Sequence, residues 1–435
     1  MSYKPEISYY SVAPRVVKSG IPSRITISPL FEHVQLSPQS TYEIYCTPME
    51  DIGNHSSFKR RHKPTWRLVN GAIELTHLFE GEQEHSLLLE EVRNNDRAPL
   101  ADFRVYSVDD DLFSLKPYKG DMHMHSNRSD GRESPGYVAA SCRKIGMDFM
   151  ALTDHRQYEP SVESQRAFKD AEIDLQIFRG EEVHPPDNPI HIINFGGAAS
   201  INRLFEDSSY RSEVKRIENA FADLPDNLDS YYYASSLWCF DKIRQLGGLG
   251  IFCHPYWVSH ERYHIPGSLT DRMFIDQPFD AYELIGGYQM HEVESNMLQV
   301  LRYQEETANG RRIPIVGVSD AHGCDRGDLF GWYFTIIFSA SLELQDIFSS
   351  IKNLYSVAVE HIPGIIPRAH GPMRLAKYAQ FLLREVFPGH DALCHEEGLE
   401  MYRYLAGHES SGTRLAELKG RVEAYLELCY GGTAD

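Results

Sequence analysis

The sequence predicts an α/β protein: a small all-β sandwich, then alternating strands and helices of the parallel, barrel-forming kind, then a helical extension. Three observations predict it. Short β-branched and aromatic runs, separated by turn-formers, fill the chain up to about residue 115. From residue 116 on, short apolar runs alternate with helix-length segments, which is the pattern of parallel β/α units. Beyond residue 366 the Leu, Tyr and Ala residues fall on one helical face. The expected division is therefore 1–115, 116–365 and 366–435.

In the first region the strand-like runs are Arg24–Ile27, Thr41–Cys46, Trp66–Val69, Ala72–Leu75, Ser86–Leu89 and Phe103–Val108. Ser19-Gly20, Asn70-Gly71 and Asn94-Asn95-Asp96 are the turns between them. Asn-Gly between two such runs is a hairpin signal, because both residues tolerate positive φ. In the second region a helix over Gly136–Lys144 precedes a buried strand at Phe149–Leu152. Leu175–Phe178 and Ile190–Phe195 are further apolar runs. A helix over Ser235–Gln245 ends at Gly247-Gly248 and leads to Leu249–Cys253. A polar helix over Glu294–Ala308 stops at Asn309-Gly310, before the strand Ile313–Val318. Met373–Arg384 and Thr413–Cys429 read as the helices of the last region.

Composition narrows the function classes. The 435 residues carry 43 Lys and Arg against 62 Asp and Glu, a net charge of −19. That balance argues against general nucleic-acid binding, which needs clustered cations. It leaves room for a small phosphorylated substrate if bound metals supply local positive charge. No apolar run approaches the roughly 20 residues needed to span a bilayer, so no membrane partner is expected. The start, MSYKPEISYYSVAP, lacks an apolar signal core, and seven scattered cysteines form no CxxC pair. A cytoplasmic protein with reduced thiols is the expectation, and a thiolate zinc site is disfavoured. Oligomeric state is not readable from the sequence.

Chemistry-bearing residues stand where apolar strands give way to polar loops, the end at which β/α barrels build their sites. His123 and His125, in Asp121-Met-His-Met-His-Ser126, are two apart, so on a strand both imidazoles face one way and can reach one metal. Asp121 shares that face and can orient a ligand. Asp130 follows in a Ser-Asp-Gly turn. Asp154-His155 ends the strand Phe149–Leu152, and Arg179-Gly-Glu-Glu-Val-His184 precedes Ile190-His191-Ile192. His254 follows Cys253, and Asp320 and His322 share an i, i+2 geometry in Ser319-Asp-Ala-His322. Each cluster alone is compatible with a bland reading: incidental histidines at an exposed strand end, a solvated turn, a satisfied core histidine at position 191. Five apolar strands that all end in His, Asp or Glu resist that reading together.

DMHMHS with SDG, then LTDH, GEE, CHP and SDAH, in that order, resembles the polymerase and histidinol phosphatase (PHP) superfamily over about residues 118 to 325. The resemblance implies a distorted (β/α)7 barrel with two or three divalent metals at the strand C-terminal ends, and hydrolysis, usually of a phosphoester. Carried over by position, it implies a first metal on His123, His125 and Asp320. Glu182 would bridge to a second held by His191 and His254. Asp130, His155 and His322 would hold a third. Imidazole and carboxylate without sulfur suit Zn, Mn or Fe alike. Glu181 stands where the family has an apolar residue, and strand alternation turns only one of Glu181 and Glu182 inward; alignment favours Glu182. The loop Pro185–Pro189 leaves His184 as a rival to His191, which opens the strand HIINFG as the family's histidine does.

The expected reaction is attack by a metal-bridging hydroxide on a small phosphorylated substrate, with Glu182, His123, His125, His254 and Asp320 holding the nucleophile. Arg128, Arg156, Tyr256 and His184 are candidate substrate contacts, each with surface solvation or core packing as the competing explanation. The sequence assigns no general acid; His184, His260 and His264 are loop candidates. The β-domain leading into YKGDMHMHS also resembles a PHP branch that includes carbaryl hydrolase, which makes carbamate, amide or ester hydrolysis the alternative. A decayed, catalytically inert PHP module is the third reading. No fused polymerase is expected in a chain of this length.

Overall fold

The computed structural model describes residues 9–50, 62–93, 96–287, 292–325 and 329–431. The chain divides into two compact units: residues 1–116, 377–390 and 420–435, and residues 117–376 and 391–419.

The first unit is built on two four-stranded sheets. One runs Tyr10–Ala13, Pro22–Pro29, Ala72–Leu78, Thr65–Val69 in spatial order; the other runs Val16–Lys18, Asp96–Val108, Gln83–Arg93, Thr41–Pro48. Alternating residues of both sheets, among them Ile25, Ile27, Ile73, Leu75, Leu87, Leu89, Phe103 and Val105, form one buried cluster. That is the period of two expected of sheets with one face in a core. Asn70 and Gly71 make the two-residue turn between Thr65–Val69 and Ala72–Leu78, with φ of 50° and 79°. Of the expected turn at 94–96, Asn94 and Asn95 lie outside the described residues; Arg93 pairs with Asp96 across it.

The last region is helical over Met373–Glu385, Phe387–Leu405, Ser411–Leu418 and Arg421–Cys429. Its residues are shared between the two units. In the first, Arg15 pairs with Glu385 at 3.0 Å. In the second, the fully buried Arg143 takes Glu397 at 2.7 Å and Asp148 at 3.2 Å as partners.

The second unit holds two larger sheets. One has the order Gln176–Phe178, Phe149–Ala151, Lys116–Asp121, Tyr333–Ser339, Ser356–Glu360, Arg368–His370. The other has the order Gly180–Val183, Ile192–Phe195, Leu249–Phe252, Ala281–Ile285, Ile315–Gly317. Met122, Phe149, Ala151, Ile193, Phe195, Ile251, Ala281, Val316 and Ile337 from both sheets share one interior cluster. On the outer side, Phe252, Tyr282 and Leu284 pack with the helices Ser230–Gln245 and Gly267–Asp276. Two parallel bridges, Met124 with Ala321 and His155 with Glu182, close the strand ends around the site.

The strands are not all parallel, which corrects the expectation of uniform β/α units. Ile192–Phe195 runs antiparallel to both neighbours, and Ser356–Glu360 runs antiparallel to Tyr333–Ser339 and to Arg368–His370. The loop from His184 to His191 contains no helix, and a connection without a crossover brings the chain back antiparallel. Among the described residues no helix is long and apolar enough to cross a membrane.

Candidate metal centre

Strand alternation delivers the site residues. Along Ile315–Asp320, Val316 and Val318 face the interior, and Asp320 is next in phase. His123 and His125 continue the chain past Lys116–Asp121, and both Nε2 atoms reach Asp320 Oδ1, at 3.0 Å and 2.7 Å. Asp121 fixes this geometry, accepting the backbone N–H groups of His123 at 3.2 Å and Ser319 at 3.1 Å. His254 and Asp320 carry φ of 24° and 49°. Such strained positions persist only where the surroundings hold them, and they concentrate at functional sites.

Glu182 is the hub. Its Oε1 lies 2.8 Å from His191 Nδ1 and 3.5 Å from His123 Nε2. Its Oε2 lies 3.1 Å from His184 Nε2, 3.8 Å from His125 Nε2, and in close contact with His155 Nδ1. His254 Nε2 stands 3.1 Å from His191 Nδ1. On the outer side, Asp130 lies 3.3 Å from both His155 Nε2 and His322 Nε2. His123, His125, Glu182, His254 and Asp320 form a buried floor, whereas the side chains of His155 and Asp130 are 27% and 54% exposed and form an open rim.

The donor set fits divalent metals. Neither oxygen of the fully buried Glu182 makes a hydrogen bond among the described residues, and neither do His123 Nε2 and His125 Nδ1. A buried carboxylate left that way is costly unless a cation compensates it. Burial alone would raise Glu182, but His191, His155 and His184 outweigh it and hold the group well below the carboxylate range. Asp320 is likewise held low, against burial, by His123 and His125. Ionised carboxylates among imidazoles are what a borderline metal takes as ligands. His123, His125 and Asp320 group as one possible triad, and His125, Asp130, His155 and His322 as a second set.

No family model matches the chain. A 54-residue stretch is 48% identical to the DNA polymerase/3'-5' exonuclease PolX of Bacillus subtilis (strain 168), covering 12% of this chain and 10% of that protein. The chain thus matches about a tenth of the length of that curated relative. A two-domain protein from Bacteroides vulgatus ATCC 8482, containing a predicted PHP-like metal-dependent phosphoesterase, aligns over 62% of this chain and 71% of its own, with 17% identity and a TM-score of 0.43. An amidohydrolase from Chromobacterium violaceum aligns over 48% and 88%, with 16% identity and a TM-score of 0.30. Both scores are below the level at which a shared architecture follows. What the chain shares with the PHP pattern is the motif set, in its order and with its residues gathered at one place.

Within this centre the two neighbouring glutamates have separate tasks. Glu181 points away from the hub and accepts from Asn194 Nδ2, Ser200 Oγ, Asn202 Nδ2 and the Ile201 N–H. Asn202 also donates to the Glu182 carbonyl and accepts from the His184 N–H, so it braces residues 181 to 184. Asp154 plays the same part for the loop after His125, accepting from the backbone N–H and hydroxyl groups of Ser126 and Ser129. His184 and His191 both reach Glu182, with ring centroids 4.1 Å apart, so the rivals stand side by side. His264 Nε2 lies 3.2 Å from His191 Nε2.

The substrate candidates fare differently. Arg128 is held by Glu163 at 2.9 Å rather than turned to the centre. Arg156 is exposed, and its backbone N–H donates to the Glu182 carbonyl. The Tyr256 hydroxyl accepts from Arg302 at 3.4 Å. His260 is exposed beside Ser259. Sequence reasoning missed Glu283, fully buried on Ala281–Ile285, whose two oxygens each stand 3.0 Å from an imidazole Nδ1, of His123 and of His254. The signal available was a lone charge inside an apolar strand.

Proposed function

We propose that the chain is a metal-dependent hydrolase of a small phosphorylated substrate, built on a distorted (β/α)7 PHP barrel. What supports this reading best is Glu182: a buried carboxylate with no hydrogen bond among the described residues, ringed by five imidazoles. His123, His125 and Asp320 would hold one divalent metal, His191 and His254 a second, with Glu182 between them. Asp130, His155 and His322 would hold a third at the rim. Zn, Mn and Fe all suit these donors. Metals bound here supply a water acidic enough to attack near neutral pH and positive charge against the oxygens of the transition state.

The chain's own residues do the rest. The buried floor excludes bulk water, which strengthens every electrostatic contact inside it. Asp121 and Asp154 hold the ligand-bearing loops in register, so little reorganisation accompanies reaction. The open rim at Asp130 and His155 admits the substrate. His184 and His264 are half-buried imidazoles on either side of His191, placed to bind a substrate oxygen.

The test is a panel of phosphomonoesters, phosphodiesters, aryl carbamates and amides, offered to the protein loaded with Zn, Mn or Fe, beside a His123→Ala/His125→Ala double variant. Phosphoester turnover that disappears in the variant is the expected result. Turnover of carbamates or amides alone would replace the phosphoesterase reading with the carbonyl-hydrolysing one. Activity that survives in the variant would place the chemistry elsewhere.

A further inference from the structure

Two candidate ligands of the centre share one outer partner. His123 turns Nε2 toward Asp320 and Glu182, and its Nδ1 lies 3.0 Å from Glu283 Oε2. His254 turns Nε2 toward His191, and its Nδ1 lies 3.0 Å from Glu283 Oε1. The two rings stack at 5.6 Å with 25° between their planes. Each carboxylate oxygen therefore serves one imidazole, on the side away from the hub.

The surroundings are shaped for this. Ala281 faces the interior cluster while Tyr282 and Leu284 pack outward, so alternation directs Glu283 inward. A Cβ on Gly286 would stand 2.7 Å from Glu283 Oε1 and 3.1 Å from the Val318 carbonyl oxygen, so a glycine leaves the carboxylate its place. Asn296 grips that glycine from both ends, accepting its N–H at 3.0 Å and donating to its carbonyl at 2.7 Å. Glu283 also groups with His123, Cys253 and His254 as possible metal donors. Its two oxygens are already engaged by the two Nδ1 atoms.

We propose that Glu283 is a positioning residue that holds both His123 and His254 as Nδ1–H tautomers, presents both Nε2 lone pairs to the centre, and thereby couples the two metal positions flanking Glu182. This rests on the metal-centre reading above. A carboxylate can accept from both rings at once. A glutamine has one oxygen and one NH₂ group, so only one ring can keep its tautomer.

The test compares wild type, Glu283→Gln, Gly286→Ala and a one-sided control, His191→Ala, in Zn(II) and Co(II) titrations against a competing chelator. Losing such an outer partner weakens metal affinity about 10- to 100-fold. Glu283→Gln is expected to weaken both positions together, Gly286→Ala to do the same more mildly, and His191→Ala to weaken one position first. Long-range ¹H–¹⁵N spectra of the zinc-loaded wild type, labelled at histidine, are expected to show His123 and His254 protonated at Nδ1. Wild-type affinity at both positions in Glu283→Gln, or an Nε2–H on either histidine, would overturn the proposal. The wild-type spectra decide alone if Glu283→Gln does not fold. A wild type that binds no metal would defeat the centre itself, which is a separate outcome.

Discussion

His85 in the β-sandwich and His123 in the metal centre are both fully buried, and their surroundings differ. Among the described residues no ion pair joins His85 to a carboxylate and its Nδ1 has no hydrogen-bond partner; its Nε2–H donates to Ser107 Oγ at 2.8 Å, and Ser107 donates onward to the Gly81 carbonyl. Burial, with smaller contributions from His77 and His62, pushes it down to about 4, so it is a neutral packing residue. His123 has Glu283 on one nitrogen and Asp320 and Glu182 before the other. The contrast teaches that burial of a histidine is no sign of a site. Convergence of several imidazoles on shared carboxylates is.

The largest expected break of this comparison is Glu182→Ala. It leaves five imidazoles without the anion they face, and turnover is expected to fall more than about 100-fold, the upper range for losing even an outer-shell partner. Measured kcat/KM with saturating metal checks it; a loss under about tenfold would make Glu182 peripheral. A subtler effect sharpens the other side. Because folded His85 binds its proton only near pH 4, the unfolded chain protonates first as the pH falls below about 6.5, and stability must drop in that window. From pH 7 to 5 this one group should cost about 2 kcal/mol. Denaturant unfolding of wild type and His85→Gln at both pH values isolates it, since the variant should lose that much less. Equal losses in the two proteins would show His85 to be protonated in the fold.

Much of the site was legible because strand ends mark themselves. The HxH pair, the Asp-His after Phe149–Leu152 and the Asp-x-His after Ile313–Val318 follow apolar runs whose alternation says which side they face. Asn70-Gly71 announced its hairpin by the positive φ that few residue pairs accept. Glu283 was not legible: it lies mid-strand, in no motif, and its role arises from two histidines 160 and 29 residues away. Nor was the reversed strand Ile192–Phe195, although the helix-free, proline-rich loop before it carried the signal. The pairing of Arg128 with Glu163, 35 residues on, depends on tertiary placement that no local pattern encodes.

The most direct measurement is the metal content of the wild-type protein, by elemental analysis after anaerobic purification and exposure to Zn, Mn and Fe in turn. Two or more ions per chain, reduced in Glu182→Ala, is the predicted result. Fewer than two in the wild type under every condition would contradict the account.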